Sequence, residues 1–198
     1  MKILAIGANG IIGQAVVKLL SSEHEVITVG YSQGDLRVDI EDKSSIQSLF
    51  EKVGKVDAII STAGSGEMGG FMEMDDQGYQ TVLNNKLMGQ VNLVRLGLEH
   101  LNDGGSITLT SGQAANRPMA GTAAIAMGVA GINAFVATAA LELADNKRIN
   151  AVSPGIVKET LEQWGMDSSQ GISADDVASH YQVSILGSGN GQVLNAVL

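Results

Sequence analysis

No cysteine occurs among the 198 residues, which removes disulfides, thiolate metal sites and cysteine nucleophiles from consideration. Basic residues are also scarce: twelve Lys and Arg stand against twenty-one Asp and Glu, for a net charge of −9. A nucleic-acid surface needs a basic footprint that displaces counterions, so no nucleic-acid partner is expected. Any phosphate-bearing ligand must then be held mainly by backbone N–H groups. No apolar run reaches membrane-spanning length, and the first residues lead into a strand rather than a secretory signal. The expectation is a cytoplasmic protein without a membrane partner. His24, His100 and His180 are scattered without metal-ligand spacing, so no metal site is expected and all three read as surface residues.

What is present is a globular balance, with 44% hydrophobic and 17% charged residues. A chain of this length fits one domain, residues 1–198, and buries roughly 70% of the surface its unfolded form exposes. Apolar runs alternate with amphipathic stretches. Strands are expected at Lys2 to Ile6, Glu25 to Val29, Leu36 to Ile40, Val56 to Ser61, Ser106 to Thr110, Ile149 to Val152 and Gln192 to Val197. Ile12, Val16, Leu19 and Leu20 share one helical face. Ile46, Leu49, Phe50 and Val53 form a second stripe, with Asp42 as its N-cap. One long helix carries Leu83, Leu87, Val91, Val94 and Leu98 on one side and is broken by Gly104 and Gly105. An alanine-rich helix runs from about Thr122 to Leu143. Parallel strands need crossover helices, and these run right-handed. The expected fold is therefore α/β: a Rossmann-like, doubly wound parallel sheet of about seven strands in a three-layer αβα sandwich.

The segment Gly7-Ala8-Asn9-Gly10-Ile11-Ile12-Gly13 lies directly after the first strand and opens the first helix. In that context the first glycine permits a tight turn, the second lets the backbone approach a pyrophosphate, and the third lets helix and strand pack closely. The phosphates then rest on the helix N-terminus. A nicotinamide dinucleotide is the expected ligand, held by Gly7, Asn9, Gly10, Ile11, Ile12 and Gly13. An acid at the end of the second strand would select NAD by binding the ribose 2′-hydroxyl. The chain has Gly30-Tyr31-Ser32-Gln33 there, with no acid until Asp35, so NADP(H) is favoured over NAD(H), with Tyr31 and Ser32 beside the ribose. Asp39 and Ile40 are candidate adenine contacts, Asp39 having the alternative of a solvated turn acid.

Four stretches, in order, resemble the short-chain dehydrogenase/reductase family over nearly the whole chain. They are the glycine loop; Asp57 with Ser61-Thr62-Ala63-Gly64; the strand Gly104 to Ser111; and Arg148 to Gly155 with its Pro-Gly pair. The resemblance implies that Thr62, Ala63 and Gly64 border the adenosine and that Pro154, Gly155, Ile156 and Val157 contact the nicotinamide. It also implies hydride transfer between cofactor and a carbonyl or alcohol substrate, with a Tyr-x-x-x-Lys pair and a serine as catalytic residues. The chain departs from that pattern. It has no tyrosine between Tyr79 and Tyr181 and no lysine between Lys86 and Lys147. Ile125 and Val129 fall at the family's Tyr and Lys positions. Ser111 is the catalytic serine candidate, with a strand-end cap as its alternative and Gly112 as the other occupant of that position. Lys86 falls at the family's helix asparagine. It reads either as a snorkelling surface lysine or, pointing inward, as a catalytic group that reaches ribose or carbonyl.

Two readings stay open: an oxidoreductase with a non-standard active site, acting on a small-molecule substrate, or a catalytically inactive dinucleotide-binding regulator or partner subunit. A flavin or another nucleotide on the same fold is a third and leaves Pro154-Gly155 unexplained. Trp164, Leu161 and Met166 sit where the family has a substrate lid, and Met68, Met72 and Met74 could line a pocket or fill gaps. The long helix and the alanine-rich helix, with small residues at Ala126, Gly128, Ala130 and Ala134, resemble the pair through which family members form homodimers and homotetramers.

Overall fold

The computed structural model describes residues 1–198. Seven parallel strands form one sheet in the order β3-β2-β1-β4-β5-β6-β7. They are β1 (Lys2–Ile6), β2 (Glu25–Gly30), β3 (Leu36–Arg37), β4 (Val56–Ser61), β5 (Leu101–Thr110), β6 (Arg148–Pro154) and β7 (Val193–Ala196). The α-helices are α1 (Ile11–Leu20), α2 (Lys43–Val53), α3 (Asp76–Thr81), α4 (Gln90–Gly97), α5 (Ala123–Ala139), α6 (Lys158–Gln163) and α7 (Ala174–Leu186). The strands are apolar nearly throughout because both faces are covered. On one face Leu4, Ile6, Ile59 and Ile107 pack with Phe50, Leu93 and Ile132 of α2, α4 and α5. On the other, Ile3, Ile60 and Val152 pack with Val16 of α1 and Val177 and Tyr181 of α7.

The strand order reverses at β1, which pairs in parallel with β2 on one side and β4 on the other. At such a switch point the loops leaving β1 and β4 diverge and open a crevice at the C-terminal edge of the sheet. That crevice is what the fold contributes to the site.

Four elements differ from their sequence-based expectations, α5 by ending at Ala139 rather than near Leu143. β3 ends at Arg37 rather than Ile40. Asp39 N–H donates to Ser45 Oγ at 3.0 Å and Asp39 Oδ1 accepts from Glu41 N–H at 2.9 Å, which turns the chain off the sheet toward α2. β5 starts at Leu101, and its pairing with β4 shifts register between Val56 and Ala58, so Gly104 and Gly105 lie within the strand rather than before it. The expected long α-helix is interrupted by a π-helical segment, Val82–Gly89, between α3 and α4. A π turn holds more residues than an α turn and so rotates the next helical turns about the axis. From Val82 to Leu98 the buried residues are consequently Val82, Gly89, Gln90, Asn92, Leu93, Val94 and Gly97, while Leu83, Leu87, Val91 and Leu98 are only half-buried.

The histidines also depart from a surface reading. All three are half-buried, and His100 stacks on Phe50 with ring centroids 5.3 Å apart.

Candidate functional site

The site grows out of the turn after β1. Gly7 and Ala8 donate to the Val29 carbonyl at 2.8 and 3.1 Å, so the chain bends tightly over the end of β2. Gly7 has φ +85°, and a Cβ there would stand 2.5 Å from the Ala63 nitrogen. A Cβ at Gly13 would overlap the Gly7 carbonyl oxygen. The two glycines are thus required by backbone conformation and by close approach. The ladder of α1 begins with Gln14 N–H donating to the Gly10 carbonyl at 2.9 Å, which leaves the earlier N–H groups of the first turn, at Ile11 and Ile12, without intrahelical acceptors. Free N–H groups at a helix N-terminus suit an anion such as phosphate, and no Lys or Arg lines the adjoining cleft.

The loop borders a cleft of about 610 Å³. Of the residues singled out in the sequence, Gly7, Asn9, Gly10, Tyr31, Ser32, Asp39, Ile40, Thr62, Ala63 and Gly64 line it. Thr62 Oγ1 donates to the Gly7 carbonyl at 3.0 Å and locks the β4 loop to the glycine loop. Asn9 Nδ2 donates to the Gln33 carbonyl at 3.0 Å, folding the Tyr31–Gln33 segment against the same loop. Six further lining residues escaped the sequence reading: Ile6, Gly30, Val38, Glu41, Ser65 and Asn85. Asn85 Nδ2 donates to Glu41 Oε1 and its Oδ1 accepts from Ser65 N–H, both at 2.8 Å. That bridge spans 44 residues of sequence and carries no local signal. The residues present fit a dinucleotide: an orphaned helix N-terminus for the pyrophosphate and a cleft beside it for the adenosine.

Pro154, Gly155, Ile156 and Val157 do not line this cleft. They leave the end of β6, where Gly155 N–H donates to the Ala196 carbonyl at 2.8 Å, and lead into α6. Trp164 and Met166 near the end of α6 are each 57% exposed, and Met68 and Met72 on the loop after β4 are 53% and 81% exposed, so none of these four is core. Asp57 lies at the start of β4, at the opposite end from the cleft. It accepts from Lys2 N–H and from Asn102 Nδ2, each at 2.7 Å, and these two contacts hold its carboxyl below the usual carboxylate range.

Ser111 is 3% exposed, and its hydroxyl donates to the Val129 carbonyl of α5 at 3.1 Å. Its one proton is committed to tying the end of β5 to that helix. Ile125 and Val129 face the same region: Ile125 packs near Gly66, and Val129 near Gly112. Tyr181 cannot stand in for the absent tyrosine. It is 0% exposed on the α7 face of the sheet, its hydroxyl bonds Thr110 Oγ1 at 2.5 Å, and burial pushes its pKa up.

Lys86 is the group that remains. It is half-buried, which corrects the reading of it as a surface side chain. It crosses the end of β4 so closely that a Cβ at Gly64 would stand 2.7 Å from its Cδ and 3.6 Å from its Nζ. It takes part in none of the three ion pairs of the molecule. Without a counter-ion, desolvation lowers its pKa from 10.5 to about 8.

Comparison with known proteins decides the family. A family model described as Enoyl-(Acyl carrier protein) reductase matches residues 15–184. The chain belongs to the short-chain dehydrogenase/reductase family. Among solved structures, this short-chain dehydrogenase is similar to the protein lin1944 from Listeria innocua, with 38% identity, a TM-score of 0.95 and 98% of each chain covered. It is also similar to a small-chain dehydrogenase crystallised in complex with NADPH, with 30% identity, a TM-score of 0.88, and 98% of this chain and 95% of that one covered. Among sequence relatives, the versicolorin reductase of Emericella nidulans is 26% identical over 78% of this chain and 68% of its own length. An uncharacterized oxidoreductase of Methylorubrum extorquens is 25% identical over 83% of this chain and 76% of its own. The chain is thus a short-chain-dehydrogenase-like oxidoreductase with a dinucleotide-binding Rossmann fold. No helix of this short-chain dehydrogenase is long and apolar enough to cross a membrane.

Proposed function

We propose that the protein is an NADP(H)-dependent oxidoreductase that interconverts a carbonyl and an alcohol, with Lys86 supplying the proton. The observation that carries this is an ammonium group with no ion pair, half-buried against Gly64, itself one of the residues that line the cleft. A bound nicotinamide supplies the hydride. At pH 7 a lysine titrating near 8 is mostly protonated yet gives up its proton far more readily than a free one. The proton on Nζ passes to the oxygen that gains charge as the carbonyl is reduced, and the neutral amine is reprotonated from solvent. The cleft wall formed by Thr62, Ala63 and Gly64 holds the cofactor beside it.

NADP(H) is favoured because the end of β2 presents Tyr31 and Ser32 and no free acid. Asp35, the first carboxylate along the loop, accepts from Thr28 N–H at 2.9 Å and Thr28 Oγ1 at 2.7 Å and is turned back onto β2. Ala130 and Ala134, exposed on the outer face of α5 with Met127 and Ala137, support a homodimer or homotetramer, whereas Gly128 is buried against Val82 within the chain; light scattering at micromolar concentration tests it.

The deciding experiment is a titration with NADPH and NADH by nicotinamide fluorescence, followed by a panel of carbonyl substrates. NADPH binding tighter than NADH, oxidation of NADPH, and loss of that oxidation in Lys86→Ala are the expected results. Ser32→Asp is expected to reverse the preference toward NADH by tenfold or more, about 1.4 kcal/mol. Tight binding without turnover of any carbonyl favours the inactive regulator or partner subunit, the reading motivated by Ile125 and Val129.

A further inference from the structure

A π-helical turn is rare, and it persists where contacts outside the helix hold it. Here the contact is made by Gln90, the first residue after the turn. Gln90 is 0% exposed, and both polar atoms of its side chain are used. Nε2 donates to the Lys86 carbonyl at 3.1 Å and to the Thr110 carbonyl at 2.9 Å, and Oε1 accepts from Thr110 N–H at 2.9 Å. The strand edge it meets is otherwise unpaired, because the pairing of β4 with β5 ends at Ile60 and Thr108. The carboxamide therefore takes the place that a peptide group of a longer β4 would fill. A buried glutamine in a helix is costly unless each of its polar groups is matched. The residue whose carbonyl it grips is the one whose side chain lies over Gly64.

We propose that Gln90 is a positioning residue: it fixes the π turn against the end of β5 and so lays the Lys86 side chain across Gly64, at the wall of the cleft. This rests on the reading of Lys86 as proton donor. The backbone of Lys86 is held at its carbonyl by Gln90, and its neighbour Asn85 is held by Ser65 and Glu41. The side chain between them is left to extend over Gly64 and against Gly128 of α5. Nothing on those elements competes for the ammonium. α5 has no titratable residue, and Lys86 forms an ion pair with none of the carboxylates on the loops before α2 and after β4, Asp39, Glu41 and Glu67. Releasing the turn would let the side chain swing toward water, restoring its ordinary basicity and removing it from the reacting oxygen.

The test needs no known substrate. Competitive labelling with acetic anhydride across a pH series, read by mass spectrometry, gives the titration midpoint of the Lys86 amine in the full chain. In Gln90→Leu that midpoint is expected to rise by at least one pH unit, with NADPH affinity held within about twofold. Where a carbonyl substrate is in hand, kcat at pH 7 is expected to fall by up to about a hundredfold, the scale of a displacement of about 1 Å in a reacting group. If Gln90→Leu lowers only the melting temperature and leaves the midpoint at its wild-type value, Gln90 is a cap for β5 and the proposal is overturned. Should that variant not fold, Gln90→Asn, whose amide is one methylene too short to reach both carbonyls, makes the same comparison. Full turnover in Lys86→Ala would remove the proton-donor role alone, and the labelling midpoint would still decide whether Gln90 aims the side chain.

Discussion

Replacing Lys86 by methionine should make the protein more stable at neutral pH while removing its proposed chemistry. The side chain keeps its unbranched shape, is one atom shorter and loses its charge, so the perturbation chiefly reports the cost of holding an ammonium without a partner. In the folded protein its pKa falls from 10.5 to about 8 through desolvation. At about 1.4 kcal/mol per pH unit that fall corresponds to about 3 kcal/mol against folding, and partial exposure of the side chain reduces it to about 1–2 kcal/mol. The sign comes from proton linkage. Between pH 8 and 10.5 the unfolded chain binds more protons at this site than the folded one, so wild-type stability rises through that window. Below pH 8 the penalty is present in full. Lys86→Met is therefore expected to raise the melting temperature at pH 7 by about 2–8 °C, at about 2–4 °C per kcal/mol for a chain of this size. The advantage should shrink as the pH approaches 10.5. Thermal melts of both proteins at pH 7, 8.5 and 10 measure it. A variant no more stable than wild type at pH 7, or an advantage constant with pH, would refute the picture of a desolvated, unpaired ammonium.

Gly7→Ala places a Cβ 2.5 Å from the Ala63 nitrogen at φ +85°; a loss of about 2–4 kcal/mol in urea melts and of NADPH binding by fluorescence is expected. Tyr181→Phe removes the hydroxyl that bonds Thr110 and should cost about 1–2 kcal/mol in the same melts with NADPH affinity unchanged. Asp57, held below the usual carboxylate range by Lys2 N–H and the Asn102 amide, stabilises the fold above pH 3.8 and loses that contribution as the pH falls through its folded value. Asp57→Asn should accordingly flatten the acid limb of the stability profile, measured by melts between pH 2 and 5.

The parallel sheet and the glycine loop were legible in the sequence for direct physical reasons. Strands covered on both faces write themselves as apolar runs, and a turn such as that at Gly7 admits no other residue without strain. The N-cap role of Asp42 was readable too, and its carboxylate accepts from Ser44 N–H at 2.8 Å. What escaped depended on partners distant in sequence. Periodicity through Leu83, Leu87 and Val91 suggested one α-helix, because nothing local reveals that Gln90 reaches Thr110 twenty residues away. The placement of Lys86 depends on that turn and was hidden with it. β3 looks longer in the sequence because Val38 and Ile40 are apolar and buried, although pairing with β2 ends with Val38 N–H donating to the Gly30 carbonyl and Ile40 packs instead against Gly89. Within the cleft, the residues on the β1 and β4 turns were found by motif, whereas Glu41 and Asn85 were not, since their contact exists only in the folded chain.

The bridges from Asn9 to Gln33 and from Asn85 to Glu41 and Ser65 have a consequence for how a ligand is received. Side-chain amides brace the loops around the end of the cleft proposed for the adenosine before any ligand arrives, so the entropy of ordering those loops has already been lost during folding. Binding there need not pass through a slow loop-closing step. Its heat-capacity change should match the surface the ligand itself covers, with no added contribution from segments folding around it. In this protein that end of the cleft is a preformed socket.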